Sequence, residues 1–179
     1  MKKRYLVITF IIILSLLIIY NRINFNDNMQ RSGIYNINYK TMKQNNNWTV
    51  FKGNGVRSGN KSDSIKNMFI KTKSPDFSYK FYTNKKWTKD ILTNQKINNN
   101  KPLQGIKVFI YKDLAKKYSV CYRTYNIKNG WLGWSCNGQI NGNKKYDISA
   151  IEIKVIPKNI VTEEYLKDYN NSSKTQINF

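Results

Sequence analysis

Along residues 120–127 apolar and polar side chains alternate, Asn129-Gly130 interrupts them, and residues 131–137 resume the pattern in reverse. A period of two bounded by a turn signal predicts a β-hairpin. Residues 138–145 are polar and carry glycines, and residues 148–156 alternate again, with Ile151, Ile153 and Val155 on one face and Glu152 and Lys154 on the other. The prediction is a meander of three or four antiparallel strands. The same plan appears earlier, with residues 37–43 and 48–54 as the hairpin, Asn46-Asn47 at its turn and residues 65–72 as the closing strand.

These two stretches are copies. Tyr39, Thr41, Trp48, Gly55, Gly59, Ile65, Met68 and Ile70 align without a gap, at an offset of 83, with Tyr122, Thr124, Trp131, Gly138, Gly142, Ile148, Ile151 and Ile153. A worn third copy lies between them. It has Phe77, Tyr79 and Trp87, Asn94 and Asn98 in the glycine places, then Leu103, Ile106 and Val108. Units of this length cannot bury an apolar face alone, so three sharing one core are expected. The copies occupy 34–72, 73–112 and 113–158, and together form one β domain over 34–158. The expected class is all-β: three meanders with pseudo-threefold symmetry, β-prism-like, with a β-trefoil as the alternative.

If Asn129-Gly130 is a type I′ turn, Lys128 pairs with Trp131 and Arg123 with Cys136. In that register Tyr39, Trp48, Tyr79, Trp87, Tyr122 and Trp131 share a core face, and Trp48→Ala or Trp131→Ala is expected to cost about 3–5 kcal/mol. On the opposite face Met42 meets Phe51, Tyr82 meets Asp90 and Tyr125 meets Trp134. That face varies between copies, so Met42, Phe51, Tyr82, Arg123, Tyr125 and Trp134 are the candidate ligand face. Cys121 lies diagonally from Cys136, which leaves two readings open: a disulfide, or two buried free thiols.

The stretch Tyr122-Arg-Thr, Asn129-Gly130-Trp131, Trp134, Asn137-Gly138-Gln139, Gly142 and Ala150-Ile-Glu-Ile-Lys154 resembles the clostridial hydrophobic W repeat. Its signature is a Gly-Trp pair, a second Trp, an Asn/Asp-Gly and a closing apolar alternation. The first copy departs in having Asn47 for the first glycine. The middle copy departs further, with Asp90 and Asn94 where an aromatic and a glycine are expected. The resemblance implies a bacterial surface or secreted protein with repeats in sets of three. A role in binding surface polymers or other macromolecules is suggested, and no catalytic residue is carried over.

The first 33 residues are of another kind. A basic stretch at residues 1–4 precedes an almost wholly apolar run beginning at Tyr5, read as a signal anchor over residues 5–22, with a linker over 23–33 and a tail over 159–179. With no pair of small residues at cleavage spacing, an uncleaved anchor with the repeats outside the cytoplasmic membrane is expected. Secretion after an atypical cleavage is the alternative. In the tail, residues 163–166 are read as a short helix or covering strand, and residues 170–174 as frayed.

Charge narrows the partners. Lys and Arg number 31 against 10 acidic residues, a net charge of +21, which draws polyanions. Outside a cell these are acidic glycans, wall polymers or lipid headgroups, and nucleic acid is disfavoured by compartment. The chain has no histidine, the commonest general base and metal ligand, and no metal-spaced cysteine cluster. The expectation is a non-enzymatic binding module without cofactor, anchored in the membrane and facing a glycan, an acidic wall polymer or a surface protein. An accessory subunit of an exported or membrane complex is the alternative, and the sequence leaves the oligomeric state open. Mass spectrometry of the membrane fraction is expected to find the N-terminal segment still attached; a mature terminus near Asn24 in culture fluid would establish secretion instead.

Overall fold

A computed structural model of the chain describes residues 13–17, 35–158 and 172–177. The chain divides into two units, Met1–Ile34 and Tyr35–Phe179. In the first, residues 13–17 are helical with Ile13, Leu14, Leu16 and Leu17 exposed. No described helix is long and apolar enough to cross a membrane, and the ends of the expected anchor lie outside the described residues.

The second unit is mostly β-sheet, built around three long antiparallel pairs, one from each sequence copy. In the first copy β1 (Asn38–Lys43) pairs with β3 (Ile65–Lys71), and the short β2 (Ser58–Gly59) lies between them in sequence. In the second, β4 (Phe77–Thr83) pairs with β7 (Gly105–Ile110), with β5 (Lys86–Trp87) and β6 (Ile91–Leu92) also on β4. In the third, β8 (Tyr118–Asn126) pairs with β12 (Ile148–Pro157). There β9 (Gly130–Trp131) and β10 (Ser135–Cys136) return along β8, and β11 (Asn141–Asn143) follows. The closing strands match the alternation in the sequence. The returning strands do not: residues 48–54 meet β1 only through the isolated bridges Met42–Trp48 and Tyr39–Lys52.

Two short helices complete the described unit. α1 (Lys112–Lys117) precedes β8, with Asp113 in its first turn and Lys116 and Lys117 in its last, the charge order that suits a helix dipole. α2 (Ser172–Thr175) leads into β13 (Gln176–Ile177), which pairs in parallel with β11. Residues 172–174, expected to fray, are thus helical, while residues 163–166, 170 and 171 lie outside the described residues.

One apolar cluster draws on all three copies. It holds Tyr39, Ile65, Met68 and Ile70 from the first, Tyr79, Leu103, Ile106 and Val108 from the second, and Tyr122, Ile148, Ile151 and Ile153 from the third. Backbone bonds pass between the copies in the same sequence positions each time. Gly55 N–H donates to Ile153 O (2.7 Å), Asn94 N–H to Ile70 O (2.9 Å) and Gly138 N–H to Val108 O (2.8 Å). All three donors have positive φ, at 76°, 66° and 89°. That conformation is open to glycine and, among other residues, best tolerated by asparagine, which is why Asn94 serves in a glycine place. One residue beyond each donor stands an acceptor for a core tyrosine: the hydroxyls of Tyr39 and Tyr122 donate to the carbonyls of Val56 and Gln139, and that of Tyr79 lies between the carbonyls of Gln95 (3.5 Å) and Met68 (3.3 Å).

The second glycine place separates the copies. Gly59 and Gly142 have φ of 99° and 153°, and a Cβ on either would run into backbone, at Ser149 O and Gln104 O respectively. Their bareness lets β2 pair with β12 and β11 with β7. Asn98 has a side chain in that place, and residues 97–99 form no strand. They are held instead by side-chain bonds, from Asn67 Nδ2 to Ile97 O (2.7 Å) and from Asn99 Nδ2 to Lys66 O (2.6 Å).

Burial pushes the hydroxyls of Tyr39 and Tyr79 well above the ordinary tyrosine pKa, because the core desolvates the phenolate. The native state therefore keeps these protons where the unfolded chain has lost them. Their contribution to stability is complete below about pH 10 and is lost as pH rises beyond that. Urea-unfolding midpoints are expected to fall as pH rises above about 10, less so in Tyr39→Phe; the same fall in the variant as in the parent would remove Tyr39 as a cause.

Candidate binding surfaces

The hairpin register decides which side chains form a surface, and it differs from the one the turn signal predicts. Tyr125 pairs with Trp131 and Asn126 with Gly130, so three residues form the loop and Gly130, at φ 75°, follows them. The expected pairing of Lys128 with Trp131 is displaced by three residues. At Trp131 this odd displacement moves the side chain to the other face, whereas further along, where Ser135 pairs with Tyr122 and Cys136 with Cys121, the displacement is two residues and the face is kept. Trp131 thus leaves the core face and joins Tyr125. The two-residue loop with positive φ at both positions occurs in the middle copy instead, at Asn84 (50°) and Lys85 (62°) between Thr83 and Lys86.

The core expectation is therefore corrected in half of its members. Tyr39, Tyr79 and Tyr122 are wholly buried. Trp48, Trp87 and Trp131 are half-buried, outside the core cluster, and lie opposite Met42, Tyr82 and Tyr125. The expected partners Phe51, Asp90 and Trp134 are displaced from those three residues by the same shift.

Each of these tryptophans has a cation against its ring. Lys40 Nζ lies 4.8 Å from the Trp48 centroid and 4.9 Å from that of Phe51. Lys107 Nζ lies 4.8 Å from Trp87, whose ring meets Tyr82 edge-on at 5.4 Å. The Arg123 guanidinium lies 4.7 Å from Trp131, whose ring meets Tyr125 edge-on at 5.6 Å. Lys40 and Arg123 occupy one place in the repeat. In the middle copy that place is Lys80, which pairs with Asp90 at 3.1 Å, and the cation comes from Lys107, directly opposite Lys80 in the ladder. Such contacts are worth about 0.5–1 kcal/mol where exposed.

In the third copy the stack is longer and partly closed. Arg123 also faces Trp134 at 4.8 Å, Lys154 covers the other ring contact of Trp134 at 4.7 Å, and Glu152 Oε2 accepts from Arg123 Nε at 2.8 Å. Trp134, expected on the ligand face, is 3% exposed. It packs with Cys121, Cys136 and Ile156 in a small cluster of its own. Cys121 and Cys136 form a disulfide and stand directly opposite each other, Cα–Cα 4.0 Å. The diagonal placement expected from the turn is removed by a displacement of two residues at this end of the hairpin, which keeps Cys136 on its expected face and sets it opposite Cys121. Of the candidate ligand face, Phe51 is exposed, and Met42, Tyr82, Arg123 and Tyr125 are half-buried.

A cleft of ≈ 480 Å³ opens beside the middle hairpin. Its lining includes Lys86, Trp87, Lys89, Asp90, Asn98, Asn99 and Lys101. The sequence signal for it was present as the worn pattern: Asp90 replaces the aromatic of the other copies and Asn98 the glycine. Among the described residues no group of three or more His, Cys, Asp or Glu side chains could hold a metal ion. Among the described carboxylates, Glu152 is paired with Arg123, Asp113 with Lys116 at 2.7 Å, and Asp147 accepts from Ser64 Oγ at 2.9 Å.

No protein family, curated protein or solved structure matches the chain. Its class rests on its own geometry, a mostly β-sheet unit of three antiparallel pairs with aromatic–cation surfaces.

The two kinds of tryptophan are separable by stability. Trp134→Ala is expected to cost about 3–5 kcal/mol, as for a buried aromatic, whereas Trp48→Ala is expected to cost less than half of that. Denaturant titration of the two variants would decide it, and equal losses would put Trp48 in the core.

Proposed function

We propose that the chain is a divergent relative of the clostridial hydrophobic W repeat proteins. In this reading three pseudo-equivalent units form a β-prism-like domain, which serves outside the cytoplasmic membrane as a non-enzymatic module binding an acidic glycan or wall polymer. The N-terminal apolar run holds it at the membrane. The threefold reading is supported by the hand-over of hydrogen bonds from Gly55, Asn94 and Gly138 to the closing strand of another copy, at matched positions. A location outside the cytoplasm is supported by the Cys121–Cys136 disulfide, since such bonds persist in oxidising compartments.

The binding reading rests on one observation: every copy carries a half-buried tryptophan with a cation within 4.7–4.8 Å of its ring. An aromatic face stacks on a sugar ring while the adjacent cation engages a carboxylate or phosphate on the same polymer. Three such sites on one domain add through avidity, so weak single contacts suffice. The net charge of +21 draws the polymer in from a distance.

Isothermal titration with a purified anionic wall polymer and with its uncharged counterpart tests this. Binding of the anionic polymer is expected, weakening steeply with salt because exposed charges are screened beyond about 8 Å at physiological ionic strength. Phe51→Ala and Tyr125→Ala are expected to weaken it several-fold while the fold persists. No binding at low salt to either polymer would end this reading.

A further inference from the structure

In the third copy the chain shows what lies beside its own hairpin. Gly133 N–H donates to Lys174 O at 2.6 Å. Just beyond, Gly142 and Asn143 pair with Gln176 and Ile177 in parallel. The end of α2 and the strand β13 are thus seated between the returning hairpin strand and β11, with Thr175 only 2% exposed and Gln176 and Ile177 extended. The middle copy has the same two walls. Counting from its tryptophan, Lys89 stands in the place of Gly133, and Asn98 and Asn99 stand in the places of Gly142 and Asn143. All three line the 480 Å³ cleft. Among the described residues no strand pairs with residues 97–99.

We propose that this cleft is a docking site for an extended, acidic peptide segment of a partner protein, which adds there as a strand in the way Gln176 and Ile177 do in the third copy. Strand addition takes its affinity from backbone hydrogen bonds and its selectivity from the side chains around the slot. Lys86, Lys89 and Lys101 are exposed at this one. The lining carboxylate, Asp90, is engaged by Lys80 at 3.1 Å. The charge of the slot is therefore positive, and a peptide with glutamate or aspartate at alternate positions complements it. Residues 172–177 of a second copy are poor occupants of the cleft, since they carry a lysine and no acid. The proposal stands apart from polymer binding: it concerns one copy, and needs backbone pairing rather than stacking.

The full chain in detergent is titrated with three capped probes: a hexapeptide of alternating glutamate and valine, its lysine–valine counterpart, and polygalacturonate as an anionic glycan. Expected is binding of the glutamate peptide alone at the cleft, with slowed amide exchange at Lys89, Asn98 and Asn99. Lys89→Pro, which removes the N–H, and the doubly charge-reversed Lys86→Glu/Lys101→Glu variant should each weaken it at least tenfold. The second variant changes only exposed side chains, so it remains informative if the proline variant unfolds. The proposal is overturned by equal binding of both peptides, by protection elsewhere on the domain, or by glycan protecting these amides where peptide does not. A dimer that forms through the cleft and is lost on deleting residues 172–179 would overturn it as well, by making a second copy the occupant.

Discussion

Everything else in the described fold depends on three backbone hydrogen bonds that no copy can make for itself. Each copy ends its hairpin with a residue at positive φ, and that turn aims an N–H at the closing strand of a different copy. A meander of this size has one apolar face and no way to cover it alone. The three bonds place the faces against each other, and the tyrosine one hairpin away then finds its acceptor beside the same turn. The energetic weight lies in the core, where a buried polar group without a partner costs about 1–3 kcal/mol. Tyr39 meets this demand twice, donating to Val56 O and accepting from Ile153 N–H at 2.9 Å.

The same constraint explains why the outer faces are free to differ. Once the tyrosines and the aliphatic residues have filled the interior, the tryptophans are left on the opposite side of the hairpins, where a cation and a second aromatic cover only part of each ring. The three copies then diverge in how far they close that surface. The third adds Trp134, Lys154 and a disulfide beneath them; the first leaves Phe51 43% exposed. The second replaces the outer aromatic by Asp90 and opens a cleft. The interior varies less, all three copies contributing apolar residues to one cluster.

Loss of a glycine has a visible structural price in the middle copy. Gly59 and Gly142 bring backbone against backbone, and short strands form there. With Asn98 in that place the segment stands off, two asparagine side chains replace the ladder, and a slot remains at its edge. A worn repeat is thus a different surface on the same frame.

Much of the frame was legible in the sequence. The offset of 83 located equivalent residues in the outer copies, the alternation located the closing strands β3 and β12, and the three tyrosines were placed in the core. The asparagine at position 94 was also recognisable as a glycine substitute, since both residues tolerate positive φ. What the sequence could not determine was hairpin register. Asn129-Gly130 admits a two-residue and a three-residue loop, which here differ by three positions and send Trp131 to opposite faces; Trp48 and Trp87 likewise stand opposite Met42 and Tyr82, the latter beside a two-residue loop. Only the packing of the three copies selects between them, because it is the shared interior that has room for the tyrosines and not for the tryptophans. The disulfide needs a further step: the register changes by one position between Trp131 and Ser135, which sets Cys136 directly opposite Cys121 instead of on the diagonal, and tertiary structure alone brought them together.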